Sequence, residues 1–127
     1  RLWAITWSTS GQGEFSALSY TDNSGETWET VMPAGIPEKV YNLYSDSSSV
    51  WASTESGLYY TYDQLTWDKI ESPYGENQPI YTSIIAKNDF NAIWIGTEYG
   101  FARTYNLGNS WEIFSIVGDV NYSGLLN

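Results

Sequence analysis

Apolar and polar residues alternate over short stretches of this chain, and small turn-forming residues interrupt the alternation at short intervals. In the middle of the chain this pattern predicts strands at about Val40–Ser45, Ser49–Thr54, Leu58–Thr61 and Trp67–Ile70. Further strands are predicted at about Ile80–Ala86, Ala92–Thr97, Phe101–Thr104 and Trp111–Ile116. The N-terminal part supplies Leu2–Thr6, Phe15–Thr21 and Trp28–Met32. No window has a sustained helical period, so the predicted fold class is all-β.

One short sequence occurs three times along the chain. Thr21–Trp28 (TDNSGETW) recurs at Thr104–Trp111 (TYNLGNSW), and a version shorter by one residue lies at Thr61–Trp67 (TYDQLTW). A second element precedes these boxes, because Trp51–Gly57 (WASTESG) aligns position for position with Trp94–Gly100 (WIGTEYG). Trp3 begins the first copy of that element. The repeat length of roughly 40 residues is typical of β-propeller blades.

These repeats predict about three blades of four antiparallel strands, at residues 1–33, 38–72 and 79–117. The first blade lacks an opening strand, and residues 120–126 (VNYSGLL) resemble the opening strands of the other two. We therefore expect 120–126 to complete the first blade. Closed propellers usually have about four to eight blades. The chain, residues 1–127, is thus predicted to be one propeller segment, either part of a larger propeller or part of a ring-completing oligomer.

The boxes resemble the Asp-box, Ser/Thr-x-Asp-x-Gly-x-Thr-Trp, of the bacterial sialidase-type (BNR) repeat β-propellers. The Trp94–Gly100 run is also similar to repeats of extracellular sensor propellers and xyloglucanase-type propellers. This resemblance implies that each box is a hairpin between the third and fourth strands of a blade, away from the ligand face. The residues to which it assigns a structural role are Thr21, Asn23, Gly25, Trp28, Thr61, Asp63, Trp67, Thr104, Asn106, Gly108 and Trp111.

Two departures from the family pattern are visible in the boxes. Asn23 and Asn106 stand at the Asp position, and the middle box keeps Asp63 but has no glycine. Either side chain type closes a turn by hydrogen bonding to its own backbone. We expect the three box tryptophans to lie in the core and not to form a sugar-binding platform.

Charge and composition remove several classes of function. The formal net charge is -10, and there is no cysteine and no histidine. Nucleic acid is excluded as an expected partner because phosphate binding needs clustered cations. Zinc sites with nitrogen or sulfur ligands are excluded as well. No metal or cofactor is expected. Membrane insertion is not expected either, since no stretch is long and apolar enough to span a bilayer.

The ligand face implied by the resemblance carries the loops between second and third strands and the loops between blades. In the first copy the loop between the second and third strands is predicted to extend over Thr6–Phe15. The loop between the second and third blades, Glu71–Pro79, is also long and polar. Exposed rings and carboxylates on such loops favour carbohydrate as the ligand class, whereas ordinary solvated loops are the alternative. The candidate ligand-binding residues are Trp7, Glu14, Phe15, Glu55, Tyr74, Glu98 and Tyr99.

The chain offers little support for catalysis. Arg1 and Arg103 are its only arginines, whereas sialidases need an arginine cluster for the substrate carboxylate. Hydrolysis of neutral glycans needs two suitably spaced carboxylates, and Asp46 and Asp89 are expected to be turn formers instead. We therefore expect a non-catalytic binding or scaffolding segment of a secreted or surface bacterial protein, with a glycan or another protein as partner. The alternatives are a fragment of a propeller glycoside hydrolase and a self-assembling structural module.

Overall fold

A computed structural model of the chain describes residues 1–8, 15–31, 39–87 and 91–114, and for residues 7, 8 and 15–17 it describes the backbone only. These residues form strands and turns without any helix, which confirms the all-β prediction. The strands are β1 Leu2–Ser8, β2 Phe15–Thr21, β3 Glu29–Val31, β4 Val40–Ser45, β5 Val50–Thr54, β6 Gly57–Thr61, β7 Asp68–Ile70, β8 Thr82–Ala86, β9 Ala92–Thr97, β10 Gly100–Thr104 and β11 Glu112–Phe114. Over these ranges, no helix is available that could cross a membrane.

The strands form three antiparallel sheets, each a meander in chain order. Sheet I is β1-β2-β3, sheet II is β4-β5-β6-β7 and sheet III is β8-β9-β10-β11. Tight hairpins join β5 to β6 and β9 to β10, where Gly57 and Gly100 have φ values of 136° and 131°. Only glycine adopts such values without strain, so these two positions fix the hairpins of sheets II and III. Residues 120–126, expected to complete sheet I, lie outside the described residues.

The hairpin of sheet I differs from the prediction. Trp7 and Ser8 belong to β1 and pair with Ser16 and Phe15 of β2, so the loop expected over residues 6–15 is shorter than predicted. Trp7 was expected in that loop but lies on β1, whereas Phe15 begins β2, as the predicted strand bounds had it. The physical reason is that tryptophan has a high strand propensity, which favours continuing the ladder beyond Thr6.

The sheets stack through one packing arrangement, which occurs twice. We call the face of each sheet that carries Trp3, Trp51 or Trp94 its front face and the opposite face its back face. The front face of sheet I, with Trp3 and Leu18, packs against Ala52 and Tyr59 on the back face of sheet II. The front face of sheet II packs in the same way on the back face of sheet III, through Trp51, Leu58, Ile70, Ile85, Ile93, Ile95 and Ala102.

The box tryptophans follow this stacking with one exception. Trp67 is half-buried and meets Trp3 of sheet I edge-on, with ring centroids 6.1 Å apart. Trp111 is also half-buried, against the core between sheets II and III. Trp28, in contrast, is 47% exposed, so the expectation that all three lie in the core is wrong for this residue. Trp67 and Trp111 are each covered by the sheet before their own, whereas no described sheet precedes sheet I and covers Trp28.

Two leucines test whether the interface between the sheets stabilises the fold. Leu58 is fully buried on the front face of sheet II, whereas Leu65 is 84% exposed in the box turn of the same sheet. We expect Leu58→Ala to lower the free energy of unfolding by about 2 to 5 kcal/mol, from lost burial and the cavity left behind. Leu65→Ala should change it by less than about 0.5 kcal/mol. Urea unfolding followed by tryptophan fluorescence measures both, and equal costs would contradict the packing described.

Candidate functional site

The first and third boxes form the same hydrogen-bonded hairpin. In the first, the Thr21 hydroxyl accepts hydrogen bonds from the backbone N–H groups of Asn23 and Gly25 at 3.2 and 3.0 Å. It donates to Asn23 Oδ1 at 2.8 Å, and that oxygen also accepts from the Thr27 N–H at 2.9 Å. Thr104, Asn106, Gly108 and Ser110 repeat every one of these bonds to within 0.1 Å.

The shorter middle box reaches a related closure with a carboxylate. Asp63 Oδ1 accepts hydrogen bonds from the backbone N–H groups of Leu65 and Thr66, both at 2.8 Å, and from the Thr61 hydroxyl at 3.1 Å. These bonds, those from the backbone above all, hold the pKa of Asp63 well below its usual range. Gln64 takes the left-handed conformation, with φ of 63°, in this box without glycine. The box oxygens are therefore engaged by their own turns.

The turn between β4 and β5 is closed by Asp46. Its Oδ1 accepts from the N–H groups of Ser48 and Ser49 at 2.8 and 2.9 Å, and Lys87 Nζ lies 3.1 Å from Oδ2. The backbone hydrogen bond from Ser48 is the main cause that lowers the pKa of Asp46 to about 2. Asp46 is thus a turn former, as the sequence predicted, while Asp89 lies outside the described residues.

The structure brings together part of the predicted ligand face. Tyr99 in the β9–β10 hairpin and Tyr74 in the segment after sheet II have ring centroids 5.2 Å apart, inclined at 43°. Tyr99 is 43% exposed, and its neighbour Glu98 is also exposed. A hydrogen bond to Glu98 is the main cause that raises the pKa of Tyr99. The rings and the carboxylate therefore line one surface at this end of the sheets.

The remaining predicted residues have different positions. Glu55 is half-buried in the β5–β6 hairpin, at the same end of sheet II, and its N–H donates to the Lys39 carbonyl at 3.0 Å. Trp7 and Phe15 lie at the turn end of the β1–β2 hairpin, where only their backbones are described. Glu14 lies outside the described residues.

The segment that carries Tyr74 is held in place by polar contacts. The Asn77 N–H donates to Glu71 Oε1 at 2.8 Å, and Lys69 Nζ donates to Asn77 Oδ1 at 2.6 Å. Lys69 also lies 3.0 Å from Glu71 Oε2. A short bridge between Ser72 and Gly75 tightens the turn around Tyr74. Tyr74 is therefore presented by an ordered platform.

Two hydroxyl groups at this end of the sheets lack hydrogen-bond partners among the described residues. They are Ser56 Oγ, beside Glu55, and Tyr74 Oη, and both atoms are buried. Buried hydroxyls in folded proteins are almost always paired with protein or with ordered water. The two groups are therefore positions for ordered water, since neither oxygen is open to the surface. Sequence patterns did not single out Ser56, because a serine in a polar turn is ordinary turn chemistry.

At the opposite end of sheets II and III, where the sequence predicted turns alone, the structure contains a concave site. It is a cavity of about 330 Å³ lined by Ser48, Ser49, Trp51, Tyr62, Ile85, Lys87, Asn91, Ile93, Tyr105 and Leu107. Trp51 is held within it by a hydrogen bond from Nε1 to Ser49 Oγ at 2.9 Å. The sequence signal for this cavity is a tyrosine directly after the box threonine. It is Tyr62 in the second box and Tyr105 in the third.

Comparisons with protein-family models, curated proteins and solved structures found no match to this chain. What it binds must therefore be inferred from the surfaces described above.

The Asp46 turn predicts a specific response to acid. A carboxyl whose pKa falls on folding stabilises the fold above its unfolded pKa, and this contribution is lost as pH falls through the folded value. For Asp46 the window runs from about pH 4 down to about pH 2. We expect Asp46→Asn to lose less stability across this window than the wild type, by on the order of 1–2 kcal/mol after allowance for solvent screening.

Urea unfolding of both proteins from pH 7 to pH 2 measures this difference. Between pH 7 and pH 5 Asp46 stays ionised, so the gap between the two proteins should be constant there and serves as the control. Parallel curves through pH 2 would contradict the role assigned to the carboxylate.

Proposed function

We propose that sheets I, II and III are blades of an Asp-box β-propeller and that the chain is a segment of that architecture. The repeated front-to-back packing of the sheets supports this fold, since propeller blades are short antiparallel meanders arranged around one axis. The matching box hairpins of sheets I and III support it as well. The proposal includes the secreted or cell-surface location that the sequence resemblance implies.

The function we assign is non-catalytic binding of carbohydrate on the end of the sheets that carries Tyr74 and Tyr99. The single observation that carries this assignment is the tilted pair of tyrosine rings on an ordered platform. Aromatic rings offer apolar faces to sugar C–H groups, and a few placed polar groups fix orientation.

The charge of the molecule narrows the class of glycan. With a net charge of -10 the protein repels anionic sugars at long range, and Glu98 adds an acceptor at the site itself. Arg1 and Arg103, which could hold a sugar carboxylate, are paired with Asp22 and Glu112. Neutral oligosaccharides are therefore the ligand class to test first.

A glycan array followed by calorimetry tests this function. We expect a neutral oligosaccharide to bind the wild type and to bind Tyr99→Ala at least about tenfold more weakly, which corresponds to about 1.4 kcal/mol of lost contact. Tyr62→Ala is the matched control, because Tyr62 is an exposed tyrosine in the cavity at the opposite end. Trp7→Ala tests whether the β1–β2 hairpin contributes.

Two results would count against the assignment. Absence of binding to any neutral glycan would remove carbohydrate as the ligand class. Loss of binding in Tyr62→Ala with retention in Tyr99→Ala would move the ligand to the cavity of about 330 Å³.

A further inference from the structure

The front face of sheet III exposes large apolar side chains beside the Arg103–Glu112 ion pair, although the same face of sheet II is buried. Phe101 and Phe114 are 43% and 37% exposed, whereas their register equivalents in sheet II, Leu58 and Ile70, are 0% and 4% exposed. Ile84, on the same face, is 55% exposed. The front face of sheet II is buried because sheet III packs on it. No described residue covers the front face of sheet III in the same way.

The exposed rings form a preassembled cluster. Trp94, Phe101 and Phe114 lie with ring centroids 5.3 to 6.0 Å apart, and Phe101 stacks on Phe114 at an interplanar angle of 17°. The Arg103 guanidinium lies 4.8 Å from the Trp94 ring centroid. Rings held by one another lose little conformational freedom on binding, and an exposed apolar patch of this kind marks an interaction surface.

The back face of sheet I also exposes large apolar side chains. Leu2 and Trp28 are 61% and 47% exposed. Gly108, in the third box, approaches sheet II so closely that a Cβ placed on it would lie 2.6 Å from Ile70 Cγ2. At Gly25, the equivalent position of the first box, the atoms nearest to such a Cβ belong to Trp28 itself, 3.9 Å away. Both glycines are required by their turns, with φ of 92° and 87°, but only Gly108 is also in close contact with a neighbouring sheet. The space beside Gly25 is open to such a contact.

We propose that the front face of sheet III binds the back face of sheet I of a second copy of this chain. The contact would continue the arrangement by which sheet I packs on sheet II and sheet II on sheet III. Phe114 takes the place of Ile70, Gly25 that of Gly108, and Trp28 that of Trp111. The interaction is head-to-tail, so it closes into a ring where the rotation allows and extends into a chain of copies where it does not.

This inference rests on the packing within the chain and not on the proposed carbohydrate site. Its electrostatics are also distinctive. Each copy carries a net charge of -10. The charged side chains on the two docking faces are Arg103 and Glu112, among the described residues, and these pair with each other within sheet III. Salt therefore screens the repulsion between copies without weakening the contact itself, so association should strengthen as ionic strength rises.

Sedimentation equilibrium of the full chain from about 1 to 200 µM, a range that covers micromolar affinities, at low and moderate salt tests the proposal. We expect at least the mass of two copies at the upper end. Phe101→Glu on sheet III and Trp28→Glu on sheet I should each give monomers at every concentration. Leu65→Glu, at an exposed leucine outside both faces, is the matched control and should behave like the wild type. Ile84→Glu replaces Phe101→Glu if that variant fails to fold, as judged by circular dichroism.

Mixing the two monomeric variants separates a head-to-tail contact from other contacts. In the mixture, the intact front face of Trp28→Glu meets the intact back face of Phe101→Glu, so a complex of two copies should reappear. A monomeric wild type at 200 µM, a concentration far above micromolar dissociation constants, would overturn the proposal. So would self-association that survives Trp28→Glu, because two front faces would then be in contact. Glycan binding is measured on the same samples, so its loss and the loss of association are recorded separately.

Discussion

The packing of one sheet's front face on the next sheet's back face is the interaction on which the rest of the molecule depends. A short antiparallel sheet buries too little apolar surface to be stable alone. Among the described residues, sheet II is covered on both faces, and every residue of β5 is buried. Sheets I and III each share one interface with it. The strands at the centre of the stack therefore hold the core, while the outer faces remain available for contacts.

The box hairpins combine two tasks in one short sequence. Threonine and asparagine or aspartate close the turn by hydrogen bonds to its own N–H groups, as Thr104 and Asn106 do. The same turn places Gly108 and Trp111 against the preceding sheet. A change in the box therefore affects both the hairpin and the interface. The position of the Tyr74–Tyr99 pair depends on that interface as well, because the two rings come from segments of different sheets.

Much of the fold follows from the sequence by local rules. The bounds predicted for β2, β4 and β9 match those observed, because alternating residues end there at turn formers such as Asp46. The end of β1 was predicted two residues too early because the Ser-, Thr- and Gly-rich sequence that follows has the composition of a loop. The exposure of Trp28 was not foreseen either. A repeat establishes that positions are equivalent, but burial depends on which neighbour is present. The cavity between sheets II and III escaped prediction because its lining comes from strands and turns that are distant in sequence.

The most direct test of the central packing interaction is a double-mutant cycle on Gly108 and Ile70, with all four proteins unfolded by urea in the same sulfate buffer. Gly108→Ala introduces a Cβ where Ile70 Cγ2 already lies, whereas Ile70→Ala removes that atom. The predicted result is strong coupling: the cost of Gly108→Ala should fall by more than about 0.5 kcal/mol when Ile70 is alanine. The remaining cost is the strain of alanine at a φ of 87°. Additive free energies would mean that the box of sheet III does not contact sheet II, and they would contradict the account.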